Sequence, residues 1–299
     1  MPRHDWRATA RRLALDLAAL DPVDLASRLT LLNLMVGPVG RWYIRPAVLL
    51  LCAAGLLLPN AARLPSLWLW LAWLTALRVL GSWPQVDNHA YLLSYWCLAL
   101  AIVHALDDSR ALRLNGRLLI ALVFALATLQ KAVLAPDYLD GRFFRFTFVT
   151  DPRFEAVTRL FGGMDAATLE ENRQFLLSDR HGDRVDGRHF VEPPAFRAMV
   201  SVSTCGVLAI EALVAWAFLV SWPRALHRAR DGLLIAFCAT TYAVAPVPGF
   251  GWLLVVMGIS QADERQPWIR PGYLAAWALI LVYEYVPWAS MLLDWLSPA

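Results

Sequence analysis

Long apolar runs separated by short charged segments constrain this chain more than any other feature. A membrane-crossing helix needs about 20 mostly apolar residues, and slightly fewer when it is shielded by neighbours. Clear runs extend from Ile44 to Leu58, Leu67 to Trp83, Ala90 to Leu106, Leu118 to Leu134, Ala198 to Trp222, Leu233 to Val247, Phe250 to Ile259 and Tyr273 to Leu296. A weaker run, Leu29 to Val39, follows Asp21–Pro22. The seventh clear run is short and flanked by glycine, so it pairs with its predecessor as a helical hairpin around Pro246 to Gly251. No stretch alternates apolar and polar residues as a strand would. Over 299 residues the hydrophobic share is 59%, charged residues make up 17% and mean hydropathy is +0.48. Soluble domains carry roughly a quarter charged residues, so a soluble enzyme, a disordered chain and a disulfide-stapled scaffold are all excluded. The expected fold is a single all-α domain over residues 1–299: a polytopic membrane bundle of about eight or nine transmembrane helices.

Arg110, Arg113 and Arg117 crowd one connection, and Arg224, His227, Arg228 and Arg230 crowd another. By the positive-inside rule both face the cytoplasm. The polar stretch from Asp137 to Arg197 then lies outside. Its six phenylalanines between Phe143 and Phe161, and a helical stretch near Ala166 to Leu177, predict an ordered extracytoplasmic cap rather than a linker. The first twenty residues, MPRHDWRATARRLALDLAAL, mix charge into an apolar pattern and show no small-residue cleavage site. They read as a surface-lying amphipathic helix. Fourteen tryptophans suit a protein with two membrane interfaces. The net charge of +3 is scattered, which leaves no nucleic-acid footprint. Cys52, Cys97, Cys205 and Cys238 are far apart inside apolar runs. They read as small core residues and not as a metal site or disulfides.

An ionisable side chain within a membrane segment marks a functional site by default. Arg78, His89, His104, Lys131, Glu211 and Glu284 qualify. Lys131 ends a strongly apolar run and is the chain's sole lysine. A buried ammonium loses hydration and becomes a neutral amine able to accept a proton; alternatively, Lys131 is an interface anchor reaching for headgroups. His89, in DNHAYLLSYW, titrates near neutrality, or else it merely helps cap a helix with Asp87 or Asn88. Glu211, in CGVLAIEALVAW, has to be protonated or paired, with Arg78 one available partner. Glu284 reads as structural. There is no phosphate cradle, GxSxG elbow or HExxH pair.

The segment NHAYLLSY together with the later ALATLQKAVLAPDYLDG resembles the vitamin K-dependent gamma-carboxylase family and its bacterial relatives, the horizontally transferred transmembrane (HTTM) domain proteins. GVLAIEALVAW, GFGWLLVVMG and the opening DPVDLASRLTLLNLMVG are also similar to segments of that family. The match spans nearly the whole chain through short, degenerate motifs, and Tyr138 stands where the family usually has Trp. The resemblance implies that Lys131 is a base toward a reduced quinone (vitamin K hydroquinone or menaquinol) and His89 a pocket residue. Asn88, Arg78, Glu211 and Tyr138 are the candidate supporting residues of that pocket. It also implies a site on the extracytoplasmic side of a bacterial inner membrane, in contact with lipid and acting on a secreted peptide or protein. The carboxylase itself continues into a large β-rich extracytoplasmic region that is not seen within these 299 residues. Two other functions fit the sequence: a non-catalytic membrane factor in maturation or export of a secreted peptide, and a transporter or proton relay. The absence of any internal repeat weighs against the transporter.

Overall fold

A computed structural model describes residues 21–37, 42–83, 88–180, 189–245, 247–263, 266 and 268–296. The expected amphipathic helix at the N-terminus lies outside them. Among the described residues there are fourteen α-helices and no strand. In chain order these are α1 (Pro22–Val36), α2 (Arg45–Leu57), α3 (Pro65–Gly81), α4 (Asn88–Leu106), α5 (Ser109–Leu129), α6 (Pro136–Leu139), α7 (Arg142–Thr150), α8 (Glu155–Gly162), α9 (Ala166–Arg180), α10 (Pro194–Leu219), α11 (Arg224–Val244), α12 (Pro248–Gln261), α13 (Ile269–Tyr285) and α14 (Trp288–Leu296).

Among the described residues, three spans are long and apolar enough to cross a membrane: His89–Leu106, Ser109–Leu134 and Pro194–Leu219. The α13–α14 pair makes a fourth if its two halves, bent by 59°, act as one span. That count falls short of eight or nine. Several other helices are too short or carry too many charges at their ends; α2 and α12 are apolar but brief. Prolines set several of these lengths. Tyr273 to Leu296, expected as one run, breaks where Val286 is forced extended ahead of Pro287, which has no N–H to donate. In the same way α10 stops at Leu219, before the expected Trp222, because Val220 turns extended and Pro223 follows. At the other end of the chain, α1 begins seven residues earlier than the apolar pattern suggested. Pro22 occupies its first turn, and the Asp21 carboxylate accepts from the Val23 and Asp24 amides at 2.7 and 3.0 Å.

The bundle is arranged around α12, in which every side chain from Gly251 to Gln261 is buried. A helix apolar on all sides belongs inside others, and α1, α5 and α13 pack around this one. Two glycines permit close approaches here: a Cβ on Gly116 of α5 would run into Ser260 and the Met257 carbonyl of α12, and one on Gly258 would overlap the Tyr273 ring of α13. At one end of the bundle, Arg117 near the start of α5 donates to the Phe218 carbonyl at the end of α10 (2.7 Å). Asp231 is buried in the same region, where it accepts from Tyr273 Oη (2.8 Å) and from the Gln261 amide. The two arginine-rich connections therefore share one end. The first is only Asp107 and Asp108, shorter than expected, since the Asp108 side chain caps α5 through the Arg110 amide (2.8 Å).

The described residues between 137 and 197 include α6 to α9 and a short 3₁₀ turn at Pro152–Phe154, which is more helix than the one stretch expected. Phe148, Val149, Phe154, Met164 and Leu169 make a second core, which rests on Phe196 and Val200 of α10. Several tryptophans depart from the interface role. Trp68, Trp96 and Trp252 are fully buried, and their indole N–H groups donate to Ala62 O, Thr30 Oγ1 and Trp277 O. Among the cysteines, Cys52, Cys97 and Cys238 are buried as expected, but Cys205 is exposed.

Candidate functional site

Helices α4 and α5 run antiparallel, so the start of one lies level with the end of the other. Between them lies a cavity of about 780 Å³. One stripe of α5 (Leu119, Leu122, Val123, Leu126 and Ala127) lines its wall at helical spacing, and Leu92, Tyr91 and Tyr95 of α4 face that stripe. Val247 and Phe250, at the start of α12, complete the apolar lining. The polar groups gather at one end: His89, Gln130, Lys131, Glu211 and, from the cap, Arg153. A concave apolar chamber with a few convergent polar groups is the usual form of a small-molecule site, and this volume is typical.

Lys131 reaches the cavity because of its local backbone. Pro136 cannot continue the helix and drives Ala135 out of the α region (φ −122°, ψ 80°). Just before that point the helix widens into a single π turn, Gln130–Leu134. Such turns recur at functional sites. The Lys131 ammonium donates to both carboxylate oxygens of Glu211, 80 residues later on α10, at 2.6 Å to Oε2 and closer still to Oε1. The Glu211 side chain is 9% exposed and that of Lys131 24%. An ion pair this deep is costly to assemble and costlier to break. His89 sits half-buried across the cavity with its ring centroid 6.2 Å from that of Phe250.

After α6, Gly141 adopts φ +78°, where any side chain is strained, and a Cβ there would press on Val200 at 2.8 Å. This tight turn holds Tyr138 against the pair, with Lys131 Nζ lying 5.4 Å from the centroid of its ring. Burial pushes the Tyr138 phenol well above its ordinary range, and the nearby Glu211 carboxylate adds to the effect. Asp151 grips Arg153 through its guanidinium at 2.6 Å, and these hydrogen bonds hold the Asp151 carboxyl below the usual carboxylate range.

The structure thus brings together Lys131, His89, Glu211 and Tyr138. It does not bring in Arg78. The partner of Glu211 is Lys131, and Arg78 is outside the cavity lining, half-buried in the last turn of α3, where a cation complements the helix dipole. Asn88 opens α4, but its side chain, like Asp87, lies outside the described part of the structure. His104 is a packing residue, paired with Ser27 Oγ at 3.0 Å and stacked on Trp68. Glu284 is exposed near the end of α13. Sequence reasoning passed over Arg153, whose DPRF context signals only a turn, and the two tyrosines of α4. No group of three or more His, Cys, Asp or Glu side chains able to hold a metal occurs among the described residues.

The fold and site define an all-helical protein with several helices apolar enough to enter a membrane and a mostly apolar chamber at one end. Comparison with protein-family models, curated proteins and solved structures finds no match.

Proposed function

We propose that the chain is an integral membrane enzyme of carboxylase-like type, in which Lys131 removes a proton from a reduced quinone or a similar lipid-soluble acid. In this reading about nine helices cross or partly cross a bacterial inner membrane, including those that need a bend or a neighbour's shelter. The helical cap lies outside, where a secreted peptide or protein would meet the site. One observation carries the reading: Lys131, Glu211 and His89 line a single chamber whose other walls are apolar. Its volume and lining fit a bicyclic quinol, with the hydroxyl directed at the polar end. Lys131 receives the phenolic proton in its amine form, which it reaches by passing a proton to Glu211. His89 hydrogen-bonds the opposite side of the ring or the oxyanion that forms.

Purified protein in lipid nanodiscs, given menaquinol and oxygen, tests this through quinol consumption followed by absorbance. Wild type consumes quinol above the protein-free rate, and Lys131→Ala falls back to that rate. Lys131→Arg does the same, because guanidinium stays protonated. Full activity in Lys131→Arg would make Lys131 an anchor and end the general-base reading. If menaquinol neither binds nor turns over in wild type, the quinol reading fails, and a non-catalytic maturation factor explains the fold better.

A further inference from the structure

The end of the bundle opposite the cap holds a set of arginines that the chamber does not use. The last turn of a helix leaves carbonyls without helical partners, and two of those of α10 are met from other helices. Arg117 Nε of α5 donates to Phe218 O at 2.7 Å, and His227 Nδ1 of α11 donates to Ala217 O at 3.2 Å. Arg230 then donates through Nη1 to His227 Nε2 (2.8 Å) and through Nε to Gln261 Oε1 (3.0 Å). Consecutive carbonyls of one helical turn therefore hold Arg117 and the His227–Arg230 pair side by side. Arg110 and Arg113 stand on the same face of α5, seven and four residues before Arg117. Arg224 and Arg228 open α11.

By itself this arrangement is repulsive. Cations near a helix N-terminus oppose its dipole, and α5 and α11 both begin with arginines. Arg113 and Arg117 are like charges four residues apart on one helix, a spacing that destabilises. The carboxylates on these turns do not offset them. Asp108 caps α5 through the Arg110 amide, Asp231 is buried against Tyr273 and Gln261, and exposed Asp107 pairs with none of the arginines. Among the described residues, Arg110, Arg113, Arg117, Arg224 and Arg228 form no ion pair. Next to these charges the same ends of α5 and α10 expose Leu114, Leu118, Trp216 and Leu219. An anionic head carrying apolar chains matches both halves, since basic groups at a membrane surface attract anionic lipid headgroups and tryptophan favours the interface. We propose that the phosphate of an anionic phospholipid sits where α5 meets the end of α10. Arg113 and Arg117 donate to it, Arg110 and Arg230 add to the field, and its chains lie on Leu114, Leu118 and Leu219. The site rests on the membrane reading and not on any reaction in the chamber.

Melting temperatures and native mass spectra of the protein in nanodiscs of phosphatidylcholine, with and without phosphatidylglycerol, test this. Phosphatidylglycerol raises the wild-type melting temperature by about 3 °C, by binding the folded state, and stays on the protein in the spectrum. Arg110→Gln with Arg113→Gln removes two side chains that bond to no described group, so the fold is kept while the rise and the retained lipid are lost. Arg142→Gln with Arg197→Gln removes two exposed charges at the cap end and keeps both. Loss of the rise in this second pair as well would reduce the effect to net charge and overturn the site. An equal rise with inorganic phosphate in phosphatidylcholine discs would overturn it too, in favour of a soluble anion. Equal melting temperatures in the two lipids, with no phosphatidylglycerol retained, overturn the site and leave the membrane reading intact. Wild type that enters no nanodisc ends the membrane reading and the lipid site with it.

Discussion

Glu211 accepts two hydrogen bonds from Lys131, one at each carboxylate oxygen. Removing one charge strands the other in a poorly hydrated place. Glu211→Gln is therefore expected to destabilise the protein by about 3 kcal/mol. The double variant Lys131→Met with Glu211→Leu should regain most of that loss, since replacing both members of a buried pair by apolar groups is close to neutral. Thermal unfolding followed by tryptophan fluorescence checks both. If Glu211→Gln unfolds at the wild-type temperature, the pair is not formed in the membrane. Each residue was conspicuous in the sequence as an ionisable group in an apolar run. Their pairing was not, because they lie 80 positions apart in the chain and only the crossing of α5 with α10 decides which cation reaches the carboxylate.

The end of α5 was readable from hydropathy to within a few residues at Pro136, whereas at Asp21–Pro22 the apolar run missed the start of α1 by seven residues, because the cap and the first turn carry polar side chains. Breaks inside an apolar run were less readable. Pro287 stands in the middle of one and could be either a kink or a stop, and only the packing of α14 against α8 makes it a 59° bend. The role of α12 was also hidden, since a short apolar run reads as an incomplete span, whereas here it is the buried axis of the bundle. Close approach along that axis depends on Gly258. Gly258→Ala should cost about 1–3 kcal/mol through overlap with the Tyr273 ring. Gly206→Ala, on an open face of α10 with nothing within 4 Å of its new Cβ, should leave stability unchanged or slightly raised. Equal melting temperatures for the two variants would contradict this packing.

For the whole molecule, the bond from Arg117 to Phe218 puts the arginine-rich connections at one end, and the cap rests on α10 nearer its opposite end, at Phe196 and Val200. If the positive end is cytoplasmic, Ser109→Cys is labelled by an impermeant maleimide only after cells are opened, and Ser178→Cys is labelled in intact cells. Both variants need Cys205→Ser as background, because Cys205 is exposed. Labelling of both sites in intact cells would overturn the topology.

Hydropathy alone determined that this chain is helical and built to meet a membrane, because an apolar backbone must satisfy its own hydrogen bonds and helices do so within one segment. It also singled out six ionisable groups in such runs, Arg78, His89, His104, Lys131, Glu211 and Glu284, of which His89, Lys131 and Glu211 line the chamber. Which of these groups meet was decided by the tertiary structure. Apolar helices carry little information about their neighbours, and helix ends, glycine contacts and one π turn set how α4, α5 and α10 converge. That convergence put Lys131 on Glu211 and left Arg78 outside.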